Sequence, residues 1–464
     1  MHIYFKLFTL LIFTLITACG GGGSSTAGTS TAPALLSIAV TPANPSIAIG
    51  ASQQFVATGT YSDGTTAALT TGLTWTSSDT TKATLLASGL ATGKLAGLSI
   101  VMATSGTVSG VATLAVTGPY IGVAAGGNHT VALKSDGTLY AWGWNRTGQL
   151  GDGTASDKLL PTLIGTSLNW MALASGESHT AALRTDGTIW TWGFNQNGQL
   201  GDGTLVNRLS PVKVGTGTTW VAVSAGKAHT VALKKDGTLW AWGRNFSGQL
   251  GDGTAIDKAV PTQIGVVKTW TNISAGATHT IARRSDGTVW AWGGNDSGQL
   301  GMGTATSLNV PTQVGTATWV AVAAGGVHTM AIRADGALFA WGANTVGQLG
   351  SDAVTDSSSP LQVGIDTDWA VVSAGGAHSA AIKSNGTLWA WGANTDGQVG
   401  DLTILDKFLP VRVGTAANWL TVSAGQFHTF GLRADGSLWG WGRNTEGQQG
   451  NGKLVNITAP NNLP

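Results

Sequence analysis

The sequence predicts an all-β protein, a seven-bladed β-propeller behind a small β-sandwich. Three observations carry that reading. The string NHTVALKSDGTLYAWG at residues 128–143 returns six more times, and its histidines, His129, His179, His229, His279, His328, His378 and His428, are spaced 50, 50, 50, 49, 50 and 50 residues apart. A period near 50 marks an architecture in which each unit covers its neighbour's apolar face. Residues 35–117 follow a different pattern of short β-rich runs. The composition suits a packed chain: 464 residues, 42% hydrophobic and 10% charged, with 69 glycines and 20 tryptophans.

Residues 1–18 read as an export signal, because Lys6 is the only Lys or Arg before Cys19 and an apolar run follows over residues 7–16. That run is too short to span a bilayer. It ends in Ile16-Thr17-Ala18-Cys19, which resembles the lipobox of bacterial lipoproteins, so Cys19, the only cysteine, is expected to carry the lipid. Gly20 stands where an aspartate would imply retention at the inner membrane, which points to the outer membrane, facing either the periplasm or the exterior. Residues 19–34 form a tether rich in Gly, Ser and Thr that holds the rest off the membrane.

The runs LLSIAV, QQFVATGTY, LTWTSS, LSIVMAT and VATLAV fill residues 35–117, separated by Gly, Pro, Asp and Ser clusters. Strands so short and close together predict a sandwich. The stretch resembles the bacterial Ig-like group 2 domain at Val40-Thr41-Pro42, Gly50, Phe55, Asp63-Gly64-Thr65, Trp75-Thr76-Ser77-Ser78-Asp79 and Gly97. The resemblance implies a stalk or adhesion module at a cell surface.

Residues 118–464 hold the repeats. In the second copy, strands are expected at 170–174, 179–184, 188–192 and 211–214, with Asp186-Gly187 making a two-residue type I′ hairpin turn. In the first copy, His129, Val131 and Leu133 share one strand face and Thr130, Ala132 and Lys134 the other. The third strand, TLYAWG, is apolar on both faces, so each sheet must lie between two others, as in a propeller. The blocks G-x-x-H-T, D-G-T-L-W-A-W-G-x-N-x-x-G-Q-L-G and P-x-x-V-G resemble the regulator of chromosome condensation repeat family, whose fold is a seven-bladed propeller. Asn385 and Ser379 depart from the pattern, as do GSDA and GDLT in copies five and six, and the last copy stops at ITAPNNLP. The repeat pattern is compatible with closure at either end.

The chemistry-bearing residues read mostly as scaffold. Seven equivalent histidines could suggest metal ligands, but positions on separate blades need not converge on one ion, and an apolar face penalises charge. Trp pairs such as Trp190 and Trp192 admit sugar stacking but recur as aromatic pairs in every copy, as blade core would. With no nucleophile elbow, phosphate loop or metalloprotease helix, no catalytic residue, metal or cofactor is expected. The balance of 24 basic and 23 acidic residues gives no case for nucleic acid.

Function is sought where the copies differ. One variable site is the pair before each histidine; the other surrounds the asparagine after Trp-Gly. Both loops are expected on one face of the ring. There Trp144, Arg146, Phe194, Lys227, Arg244, Phe246, Phe427 and Arg443 form an arc over copies seven, one, two and three, whereas copies four to six offer Gly294, Ala343 and Ala393. Trp, Phe and Arg anchor protein interfaces. The expectation is a monomeric, lipid-anchored envelope protein that binds a protein or glycan at the cell surface. The family resemblance implies loop-face recognition, since some bacterial relatives are secreted inhibitors of β-lactamases. The nucleotide-exchange role of eukaryotic relatives transfers poorly to an exported chain. An alternative is a lectin-like adhesin; a less favoured one is a propeller hydrolase or lyase, for which Glu177 and Glu446 are the candidate carboxylates.

Overall fold

The computed structural model describes residues 32–352 and 355–463. The expected signal segment, Cys19 and nearly all of the tether lie outside the described residues. In the N-terminal unit, strands Leu35–Thr41, Val56–Tyr61 and Thr66–Ala68 form one sheet, and Ser46–Ala48, Val108–Thr117, Gly97–Ser105 and Thr74–Ser77 form a second. A third, smaller sheet joins Ser52–Gln54, Leu90–Gly93 and Ala83–Leu85. Alternation along Val108–Thr117 sends Ala112, Leu114 and Val116 inward, where they meet Ile38, Val40, Phe55 and Val101.

Between Tyr120 and Asn462, seven four-stranded antiparallel sheets follow one another among the described residues, each made of four consecutive strands. In the second repeat these are Trp170–Ser175, His179–Arg184, Ile189–Gly193 and Arg208–Lys213. The fourth begins earlier than the expected 211–214, because Gly193 pairs with Arg208. Pro211 sits inside it without penalty, since the strand is the sheet's outer edge and one side needs no partner.

The hairpin turn also differs from the expected type I′. Arg184 N donates to Thr188 O and Gly187 N to Arg184 O, both at 3.0 Å, so the loop has three residues: a type I turn completed by Gly187 at φ +73°. A type I′ turn would need positive φ at Asp186 as well. Asp186 instead keeps an ordinary backbone and accepts from Thr188 N at 3.0 Å and Thr188 Oγ1 at 2.6 Å, which pins the turn.

Both faces of each sheet are buried. His129, Thr130, Val131 and Ala132 are fully buried, as are Trp142, Trp192, Trp242 and their counterparts through Trp441. Trp190 and its counterparts are half-buried at the blade edge, where Arg184 stands 4.0 Å from the Trp190 ring and 4.4 Å from Trp170. The first strands surround the axis: Ala125, Ser175, Ala225, Ala275, Ala324, Ala374 and Ala424 all line one central cavity.

The ring closes face to face. Gln426 N donates to Gly126 O at 3.0 Å and Trp142 Nε1 to Gln448 O at 2.9 Å, which joins the seventh repeat to the first with no strand exchanged between them.

One loop carries strain. Gly153, Gly203, Gly253, Gly303 and Gly452 hold φ between +74° and +83°, but their counterpart in the sixth repeat is Leu402 at φ +71°, with its side chain 77% exposed. A β-carbon there costs about 1–2 kcal/mol, and no burial offsets it. Leu402→Gly is therefore expected to stabilise the protein by about 1 kcal/mol, read as a higher urea midpoint at unchanged m.

Candidate functional site: the loop face and the axial cavity

The recurring residues form a continuous clasp beneath one face of the ring. Each histidine's Nε2 meets a hydroxyl of the next repeat: His129 to Thr180, His179 to Thr230 and His229 to Thr280 at 3.0 Å, His279 to Thr329 at 2.9 Å, His328 to Ser379 at 3.0 Å and His378 to Thr429 at 2.8 Å. His428 to Thr130, at 2.9 Å, completes the circle. Every one of those hydroxyls donates its proton to a glutamine carbonyl, as Thr230 does to Gln199 O at 2.8 Å. Nε2 must then carry the ring proton, leaving Nδ1 unprotonated. Ser379 fits because only the hydroxyl is required. Burial, aided by neighbouring imidazoles, holds His129, His229, His279, His378 and His428 down to about 3; burial alone holds His179 and His328 to about 4. These are neutral structural imidazoles. Among the described residues no group of three or more His, Cys, Asp or Glu side chains could hold a metal.

The asparagine after Trp-Gly organises the long loop between the third and fourth strands. Asn245 Oδ1 accepts from Leu250 N at 2.9 Å, and Nδ2 donates to Asp252 Oδ1 at 3.0 Å and to the carbonyls of Thr254 and Ile256 at 3.1 and 3.3 Å. Asp252 is bound in turn by Lys258 at 3.2 Å. Although burial pushes its carboxyl up, hydrogen bonds from Thr254, Lys258 and Asn245 more than offset this and hold it below the usual range.

On this frame both variable sites share one face, and a backbone bond ties them together in each repeat: Trp144 N to Asn128 O at 2.9 Å, Phe194 N to Ser178 O at 2.8 Å, Arg244 N to Ala228 O at 2.8 Å and Arg443 N to Phe427 O at 2.9 Å. The face surrounds the mouth of the axial cavity, about 440 Å³, whose walls are Gly and Ala and whose rim includes Glu177, Lys227, Val327, Gln426 and Phe427. Arg146, Lys227, Arg244 and Phe246 are exposed; Trp144, Phe194, Phe427 and Arg443 are half-buried. The structure brings Arg443 over the Phe427 ring at 4.8 Å, sets Trp144 and Phe194 on separate blades, and places Arg244 and Phe246 together in one loop of the third. Lys227 is bound to Glu177 at 3.3 Å, so this carboxylate answers a lysine at the rim. Glu446 lies in the loop after a third strand, where its backbone N–H donates to Gln448 Oε1 at 2.9 Å.

Sequence reasoning missed an outer tier of the same loops. Leu205, Val206, Ile256, Ile404, Leu405, Leu454 and Val455 are exposed there, beside the carbonyls that the asparagines hold. The signal was present: apolar pairs follow the third-strand loop where charged or small residues would suffice.

Comparison with known proteins agrees with this architecture. The bacterial Ig-like domain (group 2) matches residues 34–116, and regulator of chromosome condensation (RCC1) repeats match 369–398, 385–432 and 420–448. The chain is 50% identical over 105 residues to Ice-binding protein 1 of Shewanella frigidimarina, 22% of this chain and 12% of that one. It is 56% identical over 39 residues to the Ultraviolet-B receptor UVR8 of Arabidopsis thaliana, 8% of this chain and 9% of that one. The chain thus spans only a small part of either relative. Among solved structures, yeast RCC1 (Prp20), crystallised bound to Kap60, superposes with a TM-score of 0.65 at 22% identity, covering 70% of this chain and 83% of that one. Human WBSCR16 does so with a TM-score of 0.64 at 22% identity, covering 70% and 94%. The RCC1-like domain matches residues 102–372, more than half of the sequence, and the chain belongs to that family.

Proposed function

We propose that this protein is a binding module held at the bacterial cell envelope by a lipid on Cys19, and that its loop face recognises a macromolecular partner, a protein first of all. One observation carries the reading: what recurs on the loop face is buried and internally bonded, while the side chains that differ between repeats stand around the mouth of a cavity. A protein's projecting loop could place one side chain in that neutral, Gly-walled cavity and rest its flanks on Phe427, Arg443, Trp144, Phe194, Arg244 and Phe246. Arg and aromatic residues supply most of the energy in such contacts. The bacterial Ig-like domain, and a relative named for binding ice, support an extracellular or surface setting. The module works as a monomer without a cofactor, and binding rather than catalysis is its task.

The test is capture of a partner by surface-displayed protein, comparing wild type with Trp144→Ala/Phe194→Ala/Arg244→Ala. The triple variant is expected to lose at least tenfold in apparent affinity with its thermal midpoint unchanged. Equal capture by both proteins would remove the arc from the binding surface. Glycan-array binding that disappears in Trp144→Ala would instead assign the face to carbohydrate.

A further inference from the structure

The fourth and fifth repeats break the internal pattern at five positions, and the breaks converge on one blade interface. In repeats one, two, three and six an aspartate pairs with a cation six residues on: Asp152 with Lys158, Asp202 with Arg208, Asp252 with Lys258 and Asp401 with Lys407, at 3.0, 2.7, 3.2 and 2.9 Å. In repeat four both partners are apolar, Met302 and Leu308, and both pack into the core shared with repeat five. Arg283 replaces the core Leu or Ile of the other six repeats and donates from Nη1 to Trp319 O at 3.3 Å.

In repeat five, Phe339 stands where five repeats carry Trp190, Trp240, Trp290, Trp389 and Trp439. Each of those indoles donates to a Thr or Ser hydroxyl at 2.8–3.1 Å. Ala337 removes the hydroxyl, and Asp335, relieved of it, binds Arg333 at 2.6 Å.

Beside these substitutions lies a cavity of about 440 Å³ lined by Met302, Val314, Ala317, Trp319, Arg333 and Phe339. Its size falls within the span of about 300–1,000 Å³ usual for small-molecule sites. It is separate from the axial cavity and shares no lining residue with it.

We propose that this cavity is a binding site for a small, uncharged, planar aromatic molecule of about the size of indole. Phe339 has one ring where five of its six counterparts have two, so the volume beside it suits a second flat ring. The walls match that class: a polarisable thioether from Met302, aromatic edges from Trp319 and Phe339, and the Arg333 guanidinium 4.7 Å from the Phe339 ring, placed to cover an aromatic face. Because Asp335 already neutralises Arg333, a net charge on the ligand gains little.

Isothermal titration calorimetry of the full chain with indole tests the site. Wild type is expected to bind indole at least tenfold more tightly than cyclohexanol, which is similarly apolar but not planar. Phe339→Trp should weaken indole binding at least tenfold by placing its second ring in the space beside the native phenyl. In case that indole lacks a partner and the variant folds poorly, Ala337→Thr/Phe339→Trp restores the hydroxyl used in the other blades and should fold with at least wild-type stability while losing indole affinity at least tenfold. Indole binding unchanged in the double variant, equal binding of cyclohexanol, or no binding by wild type at millimolar indole would each overturn the proposal.

Discussion

Acidification from pH 6.5 to about pH 5 is expected to unfold the propeller cooperatively. The seven clasp histidines are neutral in the folded ring, with pKa values held to about 3 or 4, against an ordinary value of 6.5. Below pH 6.5 the unfolded chain takes up protons that the folded ring refuses. The stabilisation is therefore fully present above pH 6.5 and is lost as pH falls toward the folded values. Each histidine contributes a slope approaching about 1.4 kcal/mol per pH unit, and seven acting together approach about 10 kcal/mol per unit. Total stabilities are of order 5–15 kcal/mol, so little more than one unit suffices. Urea titrations at stepped pH should show proton uptake on unfolding that approaches seven near pH 5. A midpoint that stays flat down to pH 4 would contradict the buried neutral clasp. The depressed carboxylates, such as Asp252, add stability that disappears only below their ordinary value of 3.8, so the two effects separate on the pH axis.

Asn245→Asp is expected to be worse than Asn245→Ala, although it is nearly isosteric. The alanine variant removes an acceptor for Leu250 N and a donor for Asp252, Thr254 O and Ile256 O, leaving polar groups unpaired at a fully buried position. A cost of about 3–4 kcal/mol follows from several unmet groups at about 1–3 kcal/mol each, partly relieved by water. The aspartate variant keeps the bond from Leu250 N but turns a carboxylate oxygen toward the Asp252 carboxylate and two carbonyls, which adds repulsion. Denaturation curves for the two variants decide between hydrogen bonding and packing as the role of this side chain. If packing alone mattered, the aspartate would be the milder change. Either variant should also release the loop that carries Phe246 and Ile256, so partner capture is expected to fall with stability.

The ring was readable from the sequence because its signal is repeated: seven copies of one string fix the period, the strand order and the two-sided burial of Ala132 or Trp192. Less local features were harder to read. Strand alternation places His129 and Thr130 on opposite faces, so a histidine of one blade must face the threonine of another, yet the pairing of His129 with Thr180 depends on how adjacent sheets are staggered. The turn at Asp186 was misread because Asp-Gly fits two hairpin loops, and only the pairing of Arg184 with Thr188 distinguishes them. The loop face followed from topology, which puts the ends of first and third strands together. The tie between Lys227 and Glu177 did not, since it links side chains 50 residues apart on different blades. Cavities are least legible of all, because the space beside Phe339 depends on how side chains of two repeats meet across a blade interface.

Because each sheet is completed by its own four strands, the joint between the last repeat and the first keeps the hydroxyl–imidazole link of every other joint, although Tyr120 stands there where the other repeats begin on tryptophan. The clasp has no privileged seam. A chain begun at any other repeat boundary would inherit the same hydroxyl–imidazole links, so the clasp does not depend on where the chain enters the ring.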